Sequence, residues 1–249
     1  MSKTPRKPRP DSDIPYFDAT GIVTEKCYVG RLDMMGARAA MARSVKVAGN
    51  FIGKLHVAIL EPPRTDLAAI IPTIDGAYIV GKSKEAVLHH MGASIRALAA
   101  GFVMASNNYR RFIVRGGLAY GPVAMGSSMM DASECLSQKH NSVYRDAILV
   151  GIPVVQAYEV EEQAPPFGVR VHTSARTFSP DGALPLNSTY WRWWKSADAA
   201  LKDKDLAAKL KKAVASYYEF MRKHEVELDY PRSAMDRHEQ LANEYFASA

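Results

Sequence analysis

The apolar and polar positions of the chain follow two periods. Lys26-Cys27-Tyr28-Val29-Gly30 is a strand-like run leading into Arg31-Leu32-Asp33-Met34-Met35-Gly36, so residues 22–34 are predicted as a strand region. From Gly36 to about Leu60, Ala40, Val47, Phe51 and Leu55 recur at helical spacing, with Asn50 and Gly53 weakening the last turns and Pro62-Pro63 ending the unit. Leu67 to Ile74 and Ala77 to Val80 flank Asp75-Gly76, a hairpin signal. Side chains alternate along a strand, so Ile71, Thr73 and Asp75 share one face. Ser83 then caps a long helix whose Leu88, Met91, Ile95, Leu98 and Phe102 form one buried stripe. His89 and His90 are neighbours on this helix, point apart, and are read as surface or rim residues.

Phe112 to Val123 is a strand with glycines inside it, which marks close approach of a backbone or a ligand. Residues 126–146 show no period and are read as a loop. Ile148 to Glu162 reads as a strand end or turn entering a helix near Gly151, and Gly168 to Thr173 as a short strand. Beyond it Tyr190-Trp191-Arg192-Trp193-Trp194 is read as packing rather than a base-stacking platform. Leu206, Leu210, Ala213, Tyr217 and Met221 trace a helical stripe, and a further helix follows Pro231. This order predicts an α+β sandwich, not a doubly wound sheet. The expected organisation is a disordered basic tail at 1–15, a main domain at 16–185 and a helical C-terminal appendage at 186–249.

Composition narrows the class. The 249 residues are 47% apolar and 23% charged, as expected of a globular protein with one sizeable domain. No uninterrupted apolar stretch is long enough to span a bilayer, and the basic, proline-rich first ten residues have no apolar run behind them, so neither a membrane span nor a secretory signal is expected. Cys27 and Cys135 form no disulfide framework and no zinc spacing, which fits a reducing cytoplasm. The net charge of +6 is raised by the tail; the mild remainder suits a polyanionic small substrate and demands no nucleic acid.

Chemistry points to Asp33 and Asp75. Magnesium and manganese take a few hard oxygen ligands and keep room for phosphates. Two carboxylates on adjacent strands can hold two such ions, the arrangement that activates an oxygen nucleophile and stabilises a leaving phosphate. Each aspartate alone equally fits a helix cap or a turn.

Four segments together resemble the class III nucleotidyl cyclases. Gly30-Arg31-Leu32-Asp33-Met34-Met35-Gly36 is similar to the first metal motif of that family, and Thr73-Ile74-Asp75 to the second. Arg115-Gly116-Gly117-Leu118-Ala119-Tyr120-Gly121 resembles the arginine-glycine-glycine strand of many bacterial members. Gly151 to Glu161, with Gln156-Ala157-Tyr158-Glu159-Val160-Glu161, looks like the helix that follows it; the resemblance covers about residues 22–175. It implies a mostly antiparallel sheet with helices packed on it, and a head-to-tail homodimer with active sites at the interface. It implies two divalent cations, Mn2+ or Mg2+, on Asp33, Asp75 and the Met34 carbonyl, and a triphosphate on the amides of Met35, Gly36 and Ala37.

The sequence departs from adenylate cyclases at the residues that read adenine. Those positions hold Ile71 and Ile148, which cannot satisfy the adenine edge; with Thr73 they mark the expected base pocket. The family's transition-state asparagine and arginine fall at Val155 and Glu159, so a basic residue such as Arg115 or one of the 126–146 segment substitutes, or the enzyme is slow or dead. The pattern resembles the pyrimidine cyclases of bacterial Pycsar anti-phage systems. That resemblance implies UTP, or CTP, as substrate and a separate effector activated by the cyclic product, with no nucleic-acid or membrane partner. Competing readings are a purine cyclase with an unusual base pocket, a nucleotide-binding module without turnover, and an RNA-binding domain.

Overall fold

The structure is a computed structural model that describes residues 21–132, 141–177, 186 and 188–248. The tail expected at 1–15 lies outside the described residues. Among the described residues the strands are β1 (Glu25–Met35), β2 (Ala69–Pro72), β3 (Gly76–Gly81), β4 (Ile113–Met125), β5 (Leu149–Val150), β6 (Val169–Val171) and β7 (Tyr190–Trp191). The helices are α1 (Ala37–Arg43), α2 (Val45–Leu60), α3 (Lys84–Met104), α4 (Gly126–Asp131), α5 (Asn141–Ala147), α6 (Ile152–Glu161), α7 (Thr173–Thr177), α8 (Lys204–Lys223), α9 (Glu225–Leu228) and α10 (Arg232–Tyr245). Among the described residues, contacts group 25–123 with those from 151 onward as one unit, and 21–24 with those of 124–150 as another.

In the larger unit the sheet runs β2-β3-β1-β4-β6-β7. Every pairing is antiparallel except β4 with β6. The expected α+β architecture is therefore present. β1 lies in the middle, and its alternation decides what each face carries. Tyr28, Leu32 and Met34 join the apolar core with Phe51, Leu55 and Ile59 of α2 and Met91, Ile95 and Phe102 of α3. The predicted hairpin forms between β2 and β3, where the Thr73 N–H donates to the Gly76 carbonyl at 2.8 Å.

Several expectations need correction. The single helix expected over 36–60 is two, because Ser44 adopts an extended conformation and its hydroxyl caps α2 through the Val47 N–H. The end of α2 is as expected: it runs through Asn50 and Gly53 to Leu60. Ser83 caps α3 as expected, through the Ala86 N–H. His90 is not a rim residue: it is 1% exposed, and its Nε2 lies 2.7 Å from the Ile59 carbonyl, tying α3 to the end of α2. By length and composition α3 is apolar enough to cross a membrane, yet its Met91, Ile95, Leu98 and Phe102 stripe is spent on the core.

The C-terminal segment is organised differently from the appendage expected at 186–249. β7 pairs with β6, and Trp193, Trp194, Leu210, Tyr218 and Phe246 belong to the same apolar cluster as Leu32 and Phe102. The tryptophans are packing residues, as read from the sequence: Trp194 meets Trp193, Tyr245 and Phe246 within 4.7–5.4 Å, centroid to centroid.

In the smaller unit, Ala124 and Met125 at the end of β4 pair with β5. The stretch expected as a loop at 126–146 contains α4 and most of α5. Such short helices leave too few positions for an apolar period to show.

Candidate active site

Asp33 stands near the end of β1, opposite Gly76 of β3 on one side and Arg115 of β4 on the other. The Met34 N–H donates to the Asp75 carbonyl at 2.8 Å, which fastens the hairpin bend against this strand end. The sheet register therefore brings Asp33 and Asp75 together. Asp33 is 7% exposed, and its carboxyl is pushed up to about 7, first by burial and then by the negative charge of Glu161; Arg31 opposes the rise and Asp75 adds to it. A cation brought to this carboxylate would oppose the same rise.

The turn after β1 needs its glycine. Gly36 has φ 78°, a left-handed conformation that an L side chain adopts only with strain. Its other constraint comes from the far end of the chain: a Cβ at Gly36 would lie 3.3 Å from the Tyr230 ring. Met35 and Gly36 are half-buried, Ala37 is buried and starts α1, and the Met34 side chain points into the core. Nothing in the sequence signalled Tyr230, which reaches this turn from 194 positions away.

The expected base-pocket residues divide. Ile71 is 7% exposed and sits opposite Tyr78 across β2–β3. Thr73 follows at the bend, and its Oγ1 is buried with no hydrogen-bond partner. Ile148 lies in the smaller unit, where its carbonyl accepts the Gly126 N–H at 2.9 Å.

Two residues missed by sequence reasoning dominate the charge around Asp33. Arg31 shares the Asp33 face of β1, two positions earlier, and its Nη2 donates to Asp33 Oδ1 at 2.7 Å. Its Nε donates to Glu161 Oε2 at 3.1 Å, and its Cζ lies 5.1 Å from the centroids of both the Tyr78 and Tyr158 rings. Glu161, at the end of α6 and 1% exposed, also accepts from Arg115 Nε. Arg115 Nη1 donates to the Glu162 carbonyl at 3.1 Å. Gly117 explains how α6 comes so near: a Cβ there would fall 2.0 Å from the Ala157 carbonyl oxygen, so only glycine lets the helix lie on β4. A signal was available for Arg31, since strand alternation puts it on the Asp33 face. Glu161 was legible only as the end of a helix. Val155 and Glu159, at the expected transition-state positions, are exposed on α6.

Among the described residues no group of three or more His, Cys, Asp or Glu could hold a metal ion. Asp33 and Asp75 supply hard carboxylate oxygens, the donor type that magnesium and manganese prefer, and two carboxylates leave positions for phosphate oxygens and water. This donor set fits such ions.

No protein-family model matches the chain, and no curated protein matches its sequence. Solved structures give partial likenesses. The monomeric guanylyl cyclase domain of the RhoGC fusion protein from the aquatic fungus Blastocladiella emersonii is 16% identical, with TM-score 0.44, over 62% of this chain and 85% of that one. The guanylyl cyclase Cya2 is 16% identical, with TM-score 0.42, over 66% of this chain and 89% of its own. A bacterial light-regulated adenylyl cyclase is 12% identical, with TM-score 0.45, over 57% of this chain and 40% of that one. At these identities and overlaps the likenesses carry no residue-level assignment.

Proposed function

We propose that the chain cyclises a pyrimidine nucleoside triphosphate, UTP first, to its 3′,5′-cyclic nucleotide with release of pyrophosphate. The observation that carries this reading is the convergence of Asp33 and Asp75 at the end of β1, next to the Gly36 turn. Asp33, Asp75 and the Met34 carbonyl would hold two Mn2+ or Mg2+ ions, and the amides of Met35, Gly36 and Ala37 the triphosphate. When bound, such ions polarise phosphate oxygens and favour the ionised hydroxyl. In the reaction the 3′-oxygen forms a bond to the α-phosphorus while the bond from that phosphorus to the β-phosphate bridging oxygen breaks. The hydroxyl proton passes to solvent and pyrophosphate leaves.

This chain's residues orient the reactants. Arg115, beside Asp33 across the β1–β4 pair, is the cation that stands in for the arginine replaced at Glu159. Ile71 offers no polar atom to an adenine edge, whereas the unpartnered Thr73 hydroxyl suits a smaller base. On this reading the protein works in the cytoplasm as a homodimer with active sites between protomers. Its cyclic product activates a separate effector in anti-phage defence. Neither nucleic acid nor a membrane takes part.

A nucleotide panel tests it. Purified protein with Mn2+ and each of the four ribonucleoside triphosphates is expected to yield cyclic UMP above the other products. Cyclic CMP as main product moves the substrate within the pyrimidine class, and cyclic AMP or cyclic GMP as main product refutes it. The exposed Val155 and Glu159 favour a second reading, a nucleotide-binding module without turnover. Undiminished function of Asp75→Asn in cells would select that module.

A further inference from the structure

We propose that Arg31 is a resident counter-ion of Asp33, which a divalent cation must displace, and that Glu161 sets how firmly Arg31 holds. The inference rests on the reading that Asp33 is a metal ligand and adds to it a residue that controls access to the ligand.

The geometry is specific. One guanidinium is divided between two carboxylates, with Nη2 on Asp33 Oδ1 at 2.7 Å and Nε on Glu161 Oε2 at 3.1 Å. The side chains of Arg31, Asp33 and Glu161 are 9%, 11% and 1% exposed, so water screens the pair little. The Tyr78 and Tyr158 rings flank the guanidinium at 5.1 Å each and fix its position. Arg115 completes the group from the other oxygen of Glu161. With both carboxyls ionised, Asp33, Arg31, Glu161 and Arg115 carry two negative and two positive charges, which cancel. An approaching cation then meets Asp75 as the one uncompensated carboxylate of the five residues, and gains Asp33 only by breaking its bond to Arg31. The site is thereby biased against holding metal before a nucleotide brings its own phosphate charge.

Glu161 and Arg31 must then act in opposite senses. Removing the charge of Glu161 leaves Arg31 with Asp33 as its remaining carboxylate, and the cation competes with a tighter pair. Removing Arg31 takes away both the competitor and its repulsion. A residue pair that merely braces the fold would not give opposite signs, because losing either partner would loosen the same site.

The test is Mn2+ binding to the full chain without nucleotide, followed by electron paramagnetic resonance of the free ion. Glu161→Gln is expected to weaken binding about tenfold and Arg31→Gln to tighten it about tenfold, the scale on which outer partners of metal ligands act. Tyr158→Ala alters a 44% exposed side chain that does not support the core, and is expected to tighten binding about threefold by loosening Arg31. If Glu161→Gln does not fold, the two other variants decide. Unchanged or weakened binding in Arg31→Gln overturns the inference, as does no Mn2+ binding to either the unaltered protein or Arg31→Gln, which removes the two-metal reading as well. Opposite shifts without cyclic product in the nucleotide panel uphold the role of Arg31 and refute the cyclase reading. Cyclic product with shifts of one sign does the reverse.

Discussion

The two faces of β1 differ as sharply as any two regions of the molecule, although they alternate residue by residue. On one face Tyr28, Leu32 and Met34 are buried among α2, α3 and the C-terminal aromatics. On the other, Arg31 and Asp33 are buried too, at 7% exposure each, but among charges: Glu161, Arg115 and Asp75. Burial stabilises the first set by removing apolar surface from water, and it costs the second set their hydration. One strand thus separates apolar packing from a buried charge cluster by the direction of a side chain. Changes on the apolar face should act on stability and leave turnover per folded molecule alone, and changes on the charged face should do the opposite.

The largest effect is expected on the charged face. Asp75→Asn should lower cyclic-nucleotide turnover about a thousandfold or more while the thermal midpoint stays close to that of the unaltered protein, read by product assay and circular dichroism. A parallel loss of fold would break the separation. Next, Leu32→Ala should cost about 3 kcal/mol in denaturant unfolding, because its 0% exposed side chain leaves a cavity, with turnover per folded molecule unchanged. Gly117→Ala should strike both faces at once, since the new methyl meets a backbone oxygen and must lift α6, and Glu161 with it. We expect a loss of about 2 kcal/mol together with reduced turnover, which would show where the separation ends.

The smallest effect concerns pH. His238 is 8% exposed, its Nδ1 lies 2.9 Å from the Tyr230 hydroxyl, and burial with the nearby Arg115 charge lowers its pKa to about 4. The unfolded chain therefore binds the proton first. Stability is full above about pH 6.5 and falls as the pH drops towards 4, by on the order of 2 kcal/mol. His238→Gln should flatten that part of the stability profile. An identical profile in the variant would remove His238 as the cause.

Much of this could be read from residue order. The strand ending at Asp33, the hairpin at Asp75-Gly76, the Ser83-capped α3 and the helix after Gly151 are local, since each rests on a period or a turn residue within a few positions. The pairing of the two aspartates was expected from the family resemblance, since the β1–β3 register joins positions about 40 residues apart. What escaped is non-local. Glu161 lies 130 positions from Arg31, and Tyr230 reaches Gly36 from the last quarter of the chain. Ser44 was missed for another reason: its extended backbone breaks a helix without disturbing the apolar spacing. The C-terminal stripe was visible, yet its partner was not, because a helical period shows that a face is buried and not against what.

The most direct test of the metal claim is anomalous scattering from Mn2+ in crystals grown with a non-cyclising UTP analogue. The account predicts manganese peaks bonded to carboxylate oxygens of both Asp33 and Asp75, with Arg31 moved off Asp33 onto Glu161. Well-ordered analogue with manganese touching neither aspartate, or with Arg31 still bonded to Asp33, would contradict it.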